Sequence, residues 1–168
     1  MLSARVSRPP ADASVIDALP FPGPGEPYGR QLLVADAHQE TLVMTWRPGA
    51  TCAPHDHGET SSGTIHVLHG TFIERRFVLK GGALEPLSET RVSAPALLSI
   101  PAGVIHDMQL APGDSQHDAF GLTVHVYRPR IEHMRVYDTA ARETLIVVDD
   151  QGAWVPTDEA RIIAREPW

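Results

Sequence analysis

From Gln31 onward the chain is a series of short apolar runs, each closed by glycine or proline, a texture that excludes a fold of long helices. Leu32–Val34, Leu42–Trp46, Thr64–Leu68, Thr71–Leu79, Ala96–Ile100, Val104–Leu110, Ala119–Tyr127 and Thr144–Val148 read as strands. Arg47-Pro48-Gly49, Gly70, Gly81-Gly82, Pro101-Ala102-Gly103 and Ala111-Pro112-Gly113 separate them. Many short strands with such spacing predict an all-β sandwich or barrel. Residues 1–29 read as a short helical or irregular lead, with one helix expected over Asp12–Leu19; the four prolines from Pro20 to Pro27 forbid its continuation. Residues 30–168 form the one expected domain, with Asp149–Trp168 packing back on it through Trp154 and Trp168.

Charge and cysteine count narrow the function. A formal charge of −7 and the lack of a basic stretch with interleaved aromatics argue against nucleic acid and anionic membranes as partners. Cys52 is the single cysteine, so no intramolecular disulfide forms. Met1–Pro10 has no apolar core of a secretory signal, and no apolar run nears the ~20 residues of a membrane span. A cytoplasmic protein of open oligomeric state is expected.

The histidines point to chemistry. Nine occur, and His55-Asp56-His57 places two imidazoles on one face of a strand, with Asp56 pointing away. Such a pair is half of a metal site, or else two surface histidines on an edge. His106 follows the Pro101-Ala102-Gly103 turn as a third candidate ligand. Thr123, His125 and Tyr127 recur at period two, so a strand presents hydroxyl, imidazole and phenol together, a line able to hold the phenol and move a proton. His66 and His69 are expected at the surface, as are His38, His117 and His133, while Trp46 and Phe72 read as core.

Gly49, His55-x-His57 and Gly70, followed by Pro101-x-Gly103-x-x-His106, resemble the two motifs of the cupin superfamily. The resemblance implies a double-stranded β-helix, a jelly-roll-like barrel, with His55, His57 and His106 as metal ligands in its mouth. Where cupins commonly place a glutamate ligand, this chain has Gly63, and Glu59 sits too close to His57 to replace it. Three neutral ligands leave the charge of a divalent ion uncompensated, which favours an anionic ligand such as a thiolate.

A carboxylate-free three-histidine site resembles the cysteine dioxygenase family, type I, in its bacterial form, and the likeness runs from about Tyr28 to about Asp138. Tyr28-Gly29-Arg30, His55-Asp56-His57-Gly58, Ile105-His106 and Thr123-Val124-His125-Val126-Tyr127-Arg128-Pro129 carry it. It implies an iron-dependent oxidoreductase that uses Fe(2+), a small thiol and O2, and converts L-cysteine to cysteine sulfinic acid. In the family's pattern Arg30 binds the substrate carboxylate, a role suited to a planar guanidinium, and Tyr28 helps to position it. Tyr127, His125 and Thr123 are the implied catalytic line.

Departures from the pattern leave alternatives. Relatives acting on 3-mercaptopropionate carry a glutamine nearby instead of the arginine, and Gln31 adjoins Arg30 on the opposite parity. Another small-thiol dioxygenase, a cupin with Zn, Ni or Mn performing isomerase or hydrolytic chemistry, and a non-catalytic ligand-binding cupin are the other readings. Ser61-Ser62-Gly63 holds no cysteine to crosslink Tyr127, so a free phenol is expected.

Overall fold

The computed structural model describes residues 18–112 and 120–168. The helix expected over Asp12–Leu19 and the loop carrying His117 therefore lie, apart from residues 18 and 19, outside the described residues. Among the described residues, twelve strands form two sheets. They are β1 (Tyr28–Ala35), β2 (Glu40–Trp46), β3 (His55–Asp56), β4 (Ser62–His69), β5 (Thr71–Lys80) and β6 (Ala83–Ser93), followed by β7 (Ala96–Ile100), β8 (Ile105–Leu110), β9 (Gly121–Arg128), β10 (Met134–Asp138), β11 (Glu143–Val147) and β12 (Ile162–Pro167).

One sheet runs β1-β2-β9-β4-β7 and the other β12-β11-β10-β3-β8-β5-β6, with every pairing antiparallel. Trp46, Ile65, Phe72, Ile100, Met108 and Leu110, drawn from both sheets, are buried in one cluster. A smaller cluster of Val136, Leu145 and Val147 serves β10 and β11. Gly70, at φ +94°, turns the chain between β4 and β5 where an added Cβ would lie 2.8 Å from Leu110 Cδ1.

Three strands were absent from the sequence reading, each for a physical reason. β6 is exposed along almost its whole length and pairs only with β5, so its side chains show no alternation of polarity. Pro86 is tolerated there because β6 is an edge strand and the β5–β6 register shifts beside it. β12 is likewise an exposed edge, and β10 is interrupted by the polar Arg135. β12 is how the C-terminal stretch returns to the domain, pairing with β11.

β9 breaks the usual inside-out pattern. Thr123, His125 and Tyr127 are buried, while the apolar Leu122, Val124 and Val126 are only half-buried. A central strand that turns its polar side chains inward must satisfy them within the protein, and does so at the site below.

Candidate metal centre

β3 is only two residues long, and His57 lies just past its end, yet the parity expected from the sequence holds. His55 is the register partner of His106 across β3–β8, so pairing of backbones brings the third imidazole opposite the first. The ligand atoms of His55, His57 and His106 lie within 4.8 Å of one another, all buried, and no carboxylate joins this cluster among the described residues. Glu59 turns away to pair with Arg135. Asp56 points to the opposite side, where it accepts 2.7 Å from the Tyr137 hydroxyl and 2.8 Å from Gly58 N–H. The turn after His57 is thus anchored from behind.

The donor set fits a metal ion. Burial holds all three imidazoles below the ordinary histidine range, and for His57 and His106 the neighbouring imidazoles add to the shift. Their lone pairs are therefore available at neutral pH. His55 Nδ1–H donates 2.9 Å to the Ala53 carbonyl, leaving Nε2 to face the cluster. Both ring nitrogens of His106 are buried without a hydrogen-bond partner among the described residues, a costly arrangement that a metal at one nitrogen relieves.

Beside this cluster stands the line from β9. Trp46 Nε1–H donates 2.9 Å to Thr123 Oγ1; Thr123 Oγ1 and His125 Nε2 lie 2.9 Å apart; His125 Nδ1 and the Tyr127 hydroxyl lie 3.0 Å apart. Indole is only a donor. The line is satisfied when Thr123 donates to His125 Nε2 and His125 Nδ1–H donates to Tyr127, leaving the phenol proton free for another acceptor. Trp46 is core, as expected, and its N–H also fixes the end of this line, a role with no sequence signal. Burial raises the Tyr127 phenol well above its usual range, aided by Tyr28 and Glu40, so it stays protonated. The Tyr127 ring packs against His57 at 4.5 Å between centroids.

Tyr28, Arg30, Glu40, Arg130, His55 and Tyr127 share the lining of one cavity of about 180 Å³, with Leu42 and Met44 as its apolar wall. Arg30 donates 3.2 Å to the Asp149 carbonyl, while Gln31 is exposed and does not line this cavity. The Tyr28 hydroxyl accepts 2.7 Å from Ala153 N–H, and its ring packs on Trp46 and Trp154. Sequence reasoning missed Glu40 and Arg130, whose charged groups approach to 3.7 Å. Glu40 shares the inward parity of Leu42 and Met44 on β2, and a carboxylate at that parity was the available signal.

Of the remaining histidines within the described residues, His38, His66 and His133 are exposed and His69 is half-buried against Phe120. Cys52 is buried, accepts from Met108 N–H, and its thiol is pushed up to about 12 by burial. The β4 position facing the Tyr127 ring is Gly63, which has no side chain to join to the phenol.

A stability prediction follows from His125, held down at about 3 by burial and then by His55. An unfolded imidazole titrates near ~6.5, so below that pH the unfolded chain takes up a proton that the folded chain refuses. The metal-free protein is expected to lose stability as pH falls from about 6.5 toward 3, with up to about 1.4 kcal/mol per pH unit from this imidazole. Above about pH 6.5 it contributes no slope. Urea midpoints of metal-free protein between pH 7.5 and 5 check this, and a rise on acidification would contradict it.

Comparison with known families decides the relationship. The family model "Cysteine dioxygenase type I" matches residues 25–140, a span holding the three histidines, the β9 line, Tyr28 and Arg30. The chain belongs to the cysteine dioxygenase type I family. Membership of this metal-dependent family points to thiol dioxygenase activity, with a small molecule and O2 as reactants. The fold is similar to that of KdgF from Halomonas sp., at TM-score 0.51 and 17% identity, covering 68% of this chain and 91% of that one. It is also similar to a conserved protein with a double-stranded β-helix domain from Klebsiella pneumoniae, at TM-score 0.52 and 19% identity, covering 76% and 92%. These likenesses establish the cupin double-stranded β-helix. Asp149, Gln151 and Ala153, which wall the cavity or brace Tyr28, fall outside the segment matched to the cysteine dioxygenase type I family. No helix among the described residues is long and apolar enough to cross a membrane.

Proposed function

We propose that this chain is a cytoplasmic non-haem Fe(2+) dioxygenase that oxidises L-cysteine with O2 to cysteine sulfinic acid. The observation that carries this reading is the placement of Arg30 and the Tyr127 phenol around one small cavity that reaches His55 of the three-histidine cluster. His55, His57 and His106 hold the iron, which supplies the redox chemistry for joining O2 to sulfur. The thiol gives up four electrons and both oxygen atoms end on sulfur, so no nicotinamide, flavin or keto-acid is consumed.

Arg30 holds the carboxylate of the amino acid, and its bond to the Asp149 carbonyl orients the guanidinium before substrate arrives. Tyr28, braced by Ala153 N–H, limits where that carboxylate can sit. Leu42 and Met44 exclude water from the reacting end of the cavity. Tyr127, protonated and held by His125, donates its hydrogen bond toward the reacting atoms. The exposure of Gln31 supports an amino-acid thiol over 3-mercaptopropionate.

Gly63 keeps the phenol in place by lacking a side chain, since a Cβ there would lie 2.9 Å from Tyr127 Cε1 and 3.5 Å from Ile100 Cβ. Gly63→Ala is expected to displace the ring and lower kcat by roughly 10- to 100-fold. Steady-state kinetics beside a thermal melt check that, and unchanged kcat would remove the steric role.

The function is tested by O2 uptake of the full chain loaded anaerobically with Fe(2+), given L-cysteine or 3-mercaptopropionate. One O2 consumed per sulfinate, with cysteine preferred by kcat/KM, is the expected result. Preference for 3-mercaptopropionate overturns the amino-acid assignment; no uptake with either thiol at full occupancy overturns the dioxygenase.

A further inference from the structure

Glu74 is an acidic residue in an interior position on β5, only 1% exposed, and it stands outside the three-histidine cluster. Its Oε1 lies 3.8 Å from Nδ1 of His106, a ligand imidazole whose two nitrogens are both buried and without a hydrogen-bond partner among the described residues. The same oxygen accepts 2.8 Å from Arg76 Nε, and Arg76 Nη2 is tied 2.8 Å to the Ser99 carbonyl. Arg76 is the register partner of His106 across β5–β8, so the carboxylate is held beside the imidazole by two strands and a second anchor on β7.

We infer that Glu74 is the positioning residue of the metal centre, its carboxylate accepting the Nδ1–H of His106 when Nε2 binds the ion. His55 has its tautomer set by the Ala53 carbonyl at 2.9 Å, whereas His106 has no backbone acceptor at either nitrogen. A metal at Nε2 requires the proton on Nδ1, inside a site where an unpaired N–H is costly. The carboxylate is the group facing that nitrogen, and closing from 3.8 Å to a normal length of about 2.9 Å needs a shift of under an ångström. Glu74 also places a negative charge just outside three neutral ligands, shared with Arg76, so the centre gains a fixed orientation without gaining a carboxylate ligand. This inference rests on the three histidines holding a metal and is independent of which substrate is oxidised.

The test titrates the metal-free full chain with Co(II), following the visible d–d bands, for wild type and three variants. Glu74→Met, apolar and of similar size, is expected to weaken Co(II) binding by about 10- to 100-fold and to shift the bands. Glu74→Gln, which keeps an acceptor oxygen but no charge, is expected to fall between the two. Arg76→Gln, which loosens the anchor but keeps the carboxylate, is expected to weaken binding less than Glu74→Met does. Wild-type affinity in Glu74→Met overturns the inference. So does an equal loss in Arg76→Gln, which would make Glu74 no more than the partner of Arg76. A readout that needs no variant is the 15N spectrum of the histidines in Zn(II)-loaded wild type. His106 with a hydrogen-bonded Nδ1–H is expected, and metal at Nδ1 with the proton on Nε2 overturns the assignment. Wild type that binds neither ion removes the metal centre itself, whereas normal ion binding without thiol oxidation removes the proposed reaction and leaves Glu74 its role.

Discussion

His57→Ala is expected to abolish thiol-dependent O2 consumption and to weaken binding of a divalent ion by more than about 100-fold. Losing merely an outer partner of a ligand costs 10- to 100-fold, and here a ligand itself is lost from a set of three. His57 is the informative choice because its ring also packs 4.5 Å from Tyr127, so the change empties space beside the phenol. Metal content after loading, read by calorimetric titration, separates the two effects. A variant that keeps its ion but turns over slowly would mean that His57 serves Tyr127 and that the centre has another third ligand. A melt of the metal-free variant controls for folding, with a modest loss expected from the cavity.

Arg30→Ala is expected to lower kcat/KM for L-cysteine by about 100-fold, mostly through KM, and to change kcat/KM for cysteamine by less than about threefold. The guanidinium is half-buried at the cavity wall, where a charge-assisted, two-pronged bond to a carboxylate contributes about 3 kcal/mol, and cysteamine has no carboxylate to lose. Arg30→Lys should recover only part of the loss, since a point charge cannot reproduce the fork. Equal effects on both thiols would take Arg30 out of carboxylate binding. In that case Arg130, on the same cavity and paired loosely with Glu40 at 3.7 Å, becomes the next candidate.

The parts of this molecule that could be read from the sequence are those where spacing along one chain segment determines geometry. His55 and His57 are two residues apart, and Pro101-x-Gly103 sets up the turn that delivers His106. Thr123, His125 and Tyr127 share a strand face, so their contact is local. What escaped reading depends on pairing between distant segments. Glu74 meets His106 only because β5 lies beside β8, and Trp46 meets Thr123 only because β2 lies beside β9. The edge strands β6 and β12 escaped for a different reason: with both faces wet there is no buried stripe to mark them. Tyr28 and Arg30 were legible as residue types, but their braces at Asp149 and Ala153 come from more than a hundred residues away.

The line from Trp46 to Tyr127 has a closed far end. Indole accepts no hydrogen bond, and Trp46, Thr123 and His125 are all buried, so that end of the line is closed to bulk solvent. The β9 strand therefore does not serve as an exit wire: a proton released when a bound thiol ionises leaves by way of the cavity, whose lining includes Arg130 and Glu40. The line instead works as a rigid bracket for the phenol. The phenol it holds is thereby fixed at the cavity wall, where Arg130 and Glu40 are the charged neighbours through which protons and substrate pass.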